Sequence, residues 1–194
     1  MNRFFNKAAL LVVLASISSI GQAQSPTASV TSGTTTIQLD PNFVAGLAGL
    51  GATMIDLHSN PLPNNTLTLP AVTGVIDTMT LEGEVEHTGG VIINANGNFL
   101  RFENFTLDNT NPAAPVVTAD FIIFNRFQSR IQLFNLTIPN GQTVSSSLFQ
   151  ENGMTLTLAS ATAMTLNTIF GGPILQPGMY IGTANLSANL APAN

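Results

Sequence analysis

Residues 79–87 alternate strictly between two kinds of side chain, and this stretch constrains the fold more than any other. Threonine and glutamate hold the even positions. The odd positions are held by Met79, Leu81, Gly83, Val85 and His87. Alternation with a period of two predicts a β-strand that has one buried and one solvated face. We therefore expect a sheet built from half-exposed antiparallel strands.

Two turns follow this strand and fold the chain back on itself. Residues 88–90 (Thr-Gly-Gly) end the alternation, because glycine supplies the positive φ that a tight turn needs. Asn96-Gly97 is a strong hairpin signal, since both central residues of a type I′ turn have positive φ. The return strand, residues 99–107, changes parity midway, which predicts a β-bulge near residues 103–104.

The remaining chain contains short strand patterns and two helix patterns. Asp40-Pro41 predicts a helix start and Gly51 its end, because aspartate caps free N–H groups and proline suits the first helical position. A second helix is predicted over residues 159–170. The first strand is expected at residues 34–39, and the apolar run at residues 116–124 is expected to be a strand covered on both faces. Together these elements predict a mainly β protein, an antiparallel two-sheet β-sandwich with two short helices.

The N-terminus has the pattern of a signal peptide. Arg3 and Lys7 precede an apolar run at residues 8–20 that is too short for a stable membrane anchor. Small residues near position 23 predict cleavage after residue 23. We expect a signal peptide at 1–23, a flexible Ser/Thr-rich lead-in at 24–33, and one domain at 34–190. The predicted location is extracellular or at the cell surface, with the periplasm as the alternative.

Charge and aromatic content limit the partners of the exported chain. Without the signal peptide it keeps three arginines, no lysine and ten acidic residues, and so a formal charge of −7. Such a surface cannot neutralise phosphates, so we expect no nucleic acid and no anionic lipid as partners. With no tryptophan and one tyrosine, the chain lacks the aromatic girdles that are typical of outer-membrane barrel proteins, and we expect no membrane insertion. The absence of cysteine excludes a disulfide framework.

Few residues indicate chemistry. There is no cysteine nucleophile, no metal-spaced histidine pair and no G-x-S-x-G motif, so we expect no enzyme and assign no catalytic residue. His87, on the apolar face beside a Gly-Gly turn, is the candidate cofactor ligand, and a structural histidine is the alternative. His58 is a weaker candidate. Glu82, Glu84 and Glu86 share one strand face; we interpret them as solvated, with calcium as the alternative, and assign no metal site.

Several segments, in order, resemble the HtaA-type domain of bacterial haem-uptake proteins. They are the helix at residues 40–51, VEHTGGV at residues 85–91, the strand ending at residues 105–108, and LTLASATAMTLNTIFGG at residues 156–172. The resemblance implies a β-sandwich with small helices in a secreted or surface protein. It also implies haem held by a tyrosine on the early helix and supported by a histidine at the position of His87. The early helix of this chain has no tyrosine, and Tyr180 lies far along the sequence.

These observations favour a secreted, non-enzymatic β-sandwich protein with a binding or structural role at the bacterial cell exterior. Its expected partners are a surface or matrix protein, or further copies of itself, and no cofactor is expected. The alternative is a haem-binding module of an HtaA-like uptake system, in which His87 would contribute to the haem site.

Overall fold

The computed structural model describes residues 26–192, except Asn96 and Asn140. The predicted signal peptide, residues 1–23, lies outside the described residues. The described part contains strands β1 (Thr27–Leu39), β2 (Ala52–Asp56), β3 (Thr66–Asp77), β4 (Gly83–His87), β5 (Gly90–Ala95), β6 (Asn98–Asp108), β7 (Val116–Ile123), β8 (Arg126–Thr137), β9 (Thr143–Val144), β10 (Leu148–Leu158) and β11 (Tyr180–Pro192), with helices α1 (Pro41–Gly49) and α2 (Ser160–Phe170).

The strands form one antiparallel sheet that folds over on itself. Their order is β2-β5-β6-β4-β3-β1-β11-β10-β8-β7, and β6 also pairs with β7, which closes the path into a ring. The buried side chains form one core, in which the rings of Phe102 and Phe121 stack with centroids 5.2 Å apart. The predicted mainly β, antiparallel fold with two helices is confirmed. The two layers of the predicted sandwich are parts of one continuous sheet.

The start of α1 and the end of α2 match the capping residues in the sequence, whereas α1 ends at Gly49, two residues before the predicted Gly51. Asp40 Oδ1 accepts hydrogen bonds from the backbone N–H groups of Asn42 (2.8 Å) and Phe43 (3.1 Å), so it caps α1 as expected. α2 ends at Gly171, whose φ of 80° is the left-handed conformation that glycine adopts at low cost. Each helix buries a leucine in the core, Leu47 from α1 and Leu166 from α2. Each helix therefore packs against the sheet through a small number of apolar side chains.

The first strand is longer than its sequence pattern suggests. β1 begins at Thr27, and Ala28 and Val30 are buried. This corrects the prediction of a flexible lead-in at residues 24–33 for its part from Thr27 onward, and residues 24 and 25 lie outside the described residues. The reason is that β1 pairs with β3 on one edge and β11 on the other, so a Ser/Thr-rich segment gains a full set of backbone partners. Gly33 fits here because a Cβ at this position would lie 2.5 Å from the Ser187 carbonyl oxygen.

The central stretch follows its alternation only in its second half. Asp77 Oδ1 accepts hydrogen bonds from the N–H groups of Met79 (2.8 Å) and Thr80 (2.9 Å), which makes a turn of the segment that precedes β4. Met79, expected on the buried face, is 73% exposed. Within β4 the prediction is confirmed, since Val85 and His87 are buried and the glutamates are exposed.

Two other strand predictions have different outcomes. The bulge expected near residues 103–104 is present, because Asn104 has a φ of 54° and the register of β6 against β7 shifts after Glu103. The expectation that residues 116–124 are covered on both faces is wrong. Burial in β7 alternates as far as Phe121, with Ala119 buried and Asp120 half-exposed, because this part of β7 has the core on one side and solvent on the other. Ile122 is the exception, since it lies on the outer side and is nevertheless buried.

Candidate functional site

His87, the predicted cofactor ligand, is a buried residue that joins three strands. Its Nε2 lies 2.7 Å from Thr35 Oγ1 on β1, and its Nδ1 lies 3.2 Å from the Phe105 carbonyl oxygen on β6. A carbonyl oxygen can only accept, so Nδ1 carries the proton and Nε2 accepts from the Thr35 hydroxyl. Burial lowers the pKa of His87 below its usual value, which keeps the ring neutral.

This arrangement limits what His87 can bind. Nε2 is the nitrogen whose lone pair could reach a metal or haem iron, and the Thr35 hydroxyl already occupies it. The side chain is 4% exposed and lies on the core side of β4. Ligation by His87 therefore stays a prediction that requires Thr35 and the core to move. The other histidine, His58, has a highly exposed side chain with its Nδ1 4.0 Å from Asp56 Oδ2.

Tyr180 lies closer to the early helix than its sequence number suggests. α1 contains no tyrosine, but the N–H of Asp40, the cap of α1, donates to the carbonyl of Ile181 over 2.8 Å. The residue next to Ile181 is Tyr180, which is 45% exposed. The fold thus places Tyr180 next to Ile181, the residue of β11 whose carbonyl contacts the cap of α1. This proximity follows from the pairing of β1 with β11 and is not visible in the sequence.

An apolar cavity of about 50 Å³ lies between the two helices and the sheet. Its walls include Phe43 from α1, Leu166 from α2 and Met54 from β2. A drug-sized ligand generally occupies a pocket of roughly 300–1,000 Å³. The cavity has room for about one or two water molecules, so a porphyrin would enter only if the helices separated from the sheet.

A polar depression, the acidic groove, crosses the outer surface of β3, β4, β6, β7 and β8. Its charged residues are Glu84, Glu86, Asp108 and Arg130. Glu84 lies directly opposite Asp108 in the strand register, and Arg130 is bound to Asp120 (3.0 Å). In the described part of the chain, no three potential ligands are grouped so that they could hold a metal ion. The groove combines three carboxylates with the ion pair between Arg130 and Asp120.

Glu151 is a buried carboxyl group that the sequence pattern did not single out. It is 1% exposed on β10, and its Oε1 accepts a hydrogen bond from Gln142 Nε2 over 2.8 Å. Burial raises the pKa of Glu151 to about 7, although the Gln142 amide opposes the shift. The carboxyl group can therefore change charge near neutral pH. A lone glutamate between polar residues gives no sequence signal for such burial.

A second surface, the outer apolar face, lies on the solvent side of β2, β5, β6, β7 and β8. It consists of Ile55, Leu57, Ile92, Phe99, Ile122, Phe124 and Phe127. One row crosses five strands, because the register aligns Ile55 with Ile92, Ile92 with Arg101, Arg101 with Ile122, and Ile122 with Phe127. The sequence indicates this face where consecutive residues of one strand are all apolar, as in Val91-Ile92-Ile93, because one of the two sides of the strand must then present apolar side chains away from the core.

Three phenylalanines on the outer apolar face are strongly exposed. The exposed fraction is 50% for Phe99, 63% for Phe124 and 62% for Phe127. Phe124 and Asn125 form the two-residue turn between β7 and β8, with φ values of 50° and 60°. The left-handed conformation costs a residue with a Cβ about 1 kcal/mol or more. The turn therefore holds an aromatic ring in solvent in a conformation that glycine or asparagine would adopt more cheaply.

Charges on and around the outer apolar face are balanced. Arg101, in the middle of the row, forms an ion pair with Glu103. Asp56 ends β2 and Arg126 begins β8, but each lies one residue off the row, because Asp56 is paired with Val91 and Arg126 with Ile123. Arg126 makes no ion pair with any residue that the structure describes. The face therefore contrasts with the acidic groove, where carboxylates predominate.

Solved structures share this fold, whereas no protein-family model and no curated protein matches the chain. The crystal structure of the C-terminal domain of HtaA from Corynebacterium glutamicum has a TM-score of 0.66 and 15% identity, and the match covers 84% of this chain and 99% of that one. A domain-swapped dimer of a histidine-to-alanine variant of the same domain has a TM-score of 0.55 and 14% identity, with 76% and 88% covered. The predicted HtaA-like fold is confirmed. Among the described residues, no helix has the length and apolar character to cross a membrane.

Proposed function

We propose that the protein is a non-enzymatic binding domain that acts outside the cytoplasm and docks onto a protein partner through its outer apolar face. The observation that carries this proposal is the exposure of Phe99, Phe124 and Phe127 on one side of the sheet. Removing a phenylalanine side chain from water contributes about 1.5–3 kcal/mol. A contiguous exposed apolar surface of this kind is a common mark of an interaction site.

The cavity between the helices and the acidic groove are both compatible with this function. The cavity between the helices has a volume of only about 50 Å³ and is lined by apolar side chains apart from Thr162. The acidic groove presents carboxylates that are solvated or paired with Arg130. Neither surface combines a nucleophile, a base and an oxyanion donor in the way that catalysis requires. Binding through the outer apolar face is therefore the favoured role.

Retention of the protein at the cell surface tests this function. The double variant Phe99→Ser, Phe127→Ser removes two exposed rings, whereas Met79→Ser removes a still more exposed apolar side chain in the turn before β4. We expect the wild-type protein and Met79→Ser to stay with the cells and the double variant to be released into the medium. Equal release of all three proteins, each shown to be folded by circular dichroism, would contradict docking through this face.

Haem binding is the second candidate, supported by the HtaA-like fold. A haem site in this chain would need a ligand other than a tyrosine on α1. The single tyrosine of the sequence, Tyr180, lies next to Ile181, which is hydrogen-bonded to the cap of α1. Titration of the purified protein with hemin, followed by the Soret band, tests it. A Soret shift weakened by Tyr180→Phe or by His87→Ala would favour the haem function. A flat titration would exclude it, and Tyr180→Phe serves as the variant that leaves the core intact.

A further inference from the structure

We propose that Gln142 and the short strand β9 form a flap that opens from the edge of β10 when Glu151 is ionised and closes when Glu151 is protonated. β9 has two residues and pairs with Phe149 and Gln150 of β10, and no other strand in the described part of the chain pairs with it. Its one apolar side chain, Val144, is only half-buried. Opening of the flap therefore exposes little apolar surface and leaves the ring of strands intact.

One end of the flap is anchored to the sheet, and the other end is held by a single side chain. At the anchored end, the Ser145 N–H donates to the Leu148 carbonyl over 2.8 Å, and the Leu190 N–H of β11 donates to the Ser147 carbonyl over 2.9 Å. These two bonds fix the turn that joins β9 to β10. At the other end, Gln142 Nε2 donates to the buried carboxyl group over 2.8 Å. The turn is therefore the hinge, and the bond from Gln142 keeps the flap closed.

A bulge in β10 turns the carboxyl group of Glu151 inward, next to the flap. The register of β10 against β11 shifts between Glu151 and Met154, and both residues are almost completely buried. Gly153, within the bulge, has a φ of 71°, and its N–H donates to Asn185 Oδ1 over 2.8 Å. Among the described residues, Gln142 is the one hydrogen-bond partner of the Glu151 side chain. An ionised Glu151 therefore lacks the partners that would offset its removal from water.

The strands around Glu151 offer no opposite charge to compensate it. β1, β9, β10 and β11 contain no other Asp, Glu, Lys, Arg or His, and Tyr180 is at the opposite end of β11. The two arginines of β8 precede Phe134, the residue at which β8 begins to pair with β10. In the described part of the chain, His87 is the other buried titratable side chain, and both of its ring nitrogens already have partners. Water is therefore the source of solvation for an ionised Glu151.

Because water favours the ionised form, opening of the flap and ionisation of Glu151 are coupled. In the closed form, burial raises the pKa of Glu151 from 4.5 to about 7. The open form therefore loses its proton first as pH rises. The ratio of open to closed molecules then increases by up to about tenfold per pH unit between about pH 4.5 and 7, and it is constant above that range. Opening uncovers the edge of β10 at Phe149 and Gln150, whose backbone groups the flap otherwise pairs.

Hydrogen exchange of the purified protein, corrected for the intrinsic exchange rate at each pH, tests the flap. Residues 142–145 should open roughly tenfold or more often at about pH 7 than at about pH 5. At each pH they should open more often than residues 183–186 in the centre of β11, which report global unfolding. Glu151→Gln should remove the pH dependence, because the amide has nearly the same size and does not ionise. Glu84→Gln, at an exposed position on β4, is the matched control and should leave the pH dependence unchanged.

Three results would overturn the flap. The first is a corrected opening frequency of residues 142–145 that is the same at both pH values. The second is a segment 142–145 that opens no more often than the centre of β11, because the chain would then lack a separate opening. The third is a pH dependence that persists in Glu151→Gln, which would assign it to a different group. If Glu151→Gln does not fold, the comparison of the two segments in the wild-type protein decides by itself.

Discussion

His87 and Glu151 are both almost completely buried, but they differ in how many partners surround them. Both ring nitrogens of His87 are within hydrogen-bond distance of a partner, the Thr35 hydroxyl and the Phe105 carbonyl. Glu151 has one hydrogen bond from a side chain, donated by Gln142. Burial disfavours the charged form of each group, so the pKa of the histidine falls and that of the glutamate rises. The same cause therefore acts in opposite directions on acid and base.

The two groups make the stability of the fold depend on pH with opposite signs. The unfolded chain binds a proton at His87 near pH 6.5 and the folded chain does so only at lower pH, so His87 destabilises the fold as pH falls below about 6.5. For Glu151 the unfolded chain loses its proton near pH 4.5 and the folded chain near pH 7. Glu151 therefore destabilises the fold as pH rises from about 4.5 to about 7, and its cost is complete above pH 7.

His87, with a partner at each ring nitrogen, holds strands together, whereas Glu151 affects stability mainly through its protonation. Between about pH 4.5 and 6.5 the two effects oppose each other, so the wild-type stability should change less there than it would with Glu151 alone. Removing either group should expose the pH dependence of the other. Substitutions of the two residues and of their partners therefore test the comparison directly.

The largest expected effect is that of His87→Ala. The substitution removes two hydrogen bonds and leaves a cavity where β1, β4 and β6 meet, so we expect a loss of about 3–4 kcal/mol in the free energy of unfolding. Urea denaturation followed by circular dichroism at pH 8 measures it, because the ring is neutral in both states at that pH. His58→Ala, at an exposed position, is the control and should change stability by less than about 0.5 kcal/mol. An equally small loss for His87→Ala would show that the ring does not join the strands.

Glu151→Gln should have an effect of opposite sign that appears only at higher pH. The shift from pKa 4.5 to about 7 corresponds to about 3 kcal/mol of lost stability once the carboxyl group is ionised. We therefore expect the variant to be more stable than wild type by about 2–3 kcal/mol at pH 8 and equal to it at pH 4. The same unfolding experiment at the two pH values measures this, with Glu84→Gln as the exposed control. A gain that is equal at both pH values would show that the charge of Glu151 is not its source.

The sequence predicts the strands and helix caps well, because these depend on neighbouring residues. The alternation around Val85 and the cap at Asp40 could both be recognised in the sequence. The partners of His87 could not, since Thr35 and Phe105 are 52 and 18 positions away and meet it only through the sheet. The exposure of Phe124 was also missed, because the turn that it forms with Asn125 contains neither glycine nor proline and continues an apolar run.

Thr35→Val tests how much of the stabilisation by His87 comes from one of its two contacts. Valine has the shape of threonine without the hydroxyl, so Nε2 would lose its donor while packing is conserved. A buried acceptor without a partner costs about 1–2 kcal/mol, and we expect a loss of stability of this size at pH 8. Thr35→Ser keeps the hydroxyl and is the matched control. If the serine variant were less stable than the valine variant, the methyl group of Thr35 would matter more than its bond to His87.

The smallest expected effect is that of Gln142→Ala, and it depends on the charge of Glu151. The Gln142 amide lowers the pKa of Glu151, so its removal should raise that pKa further and extend the loss of stability to higher pH. We expect a cost of about 1 kcal/mol at pH 8, where the carboxyl group is ionised, and less than half of that at pH 4. In a Glu151→Gln background the pH dependence of this cost should disappear, because the group that titrates is gone. A cost that stayed pH-dependent in that background would mean that Gln142 responds to a different titrating group. The pH dependence assigned to Glu151 would then have another source.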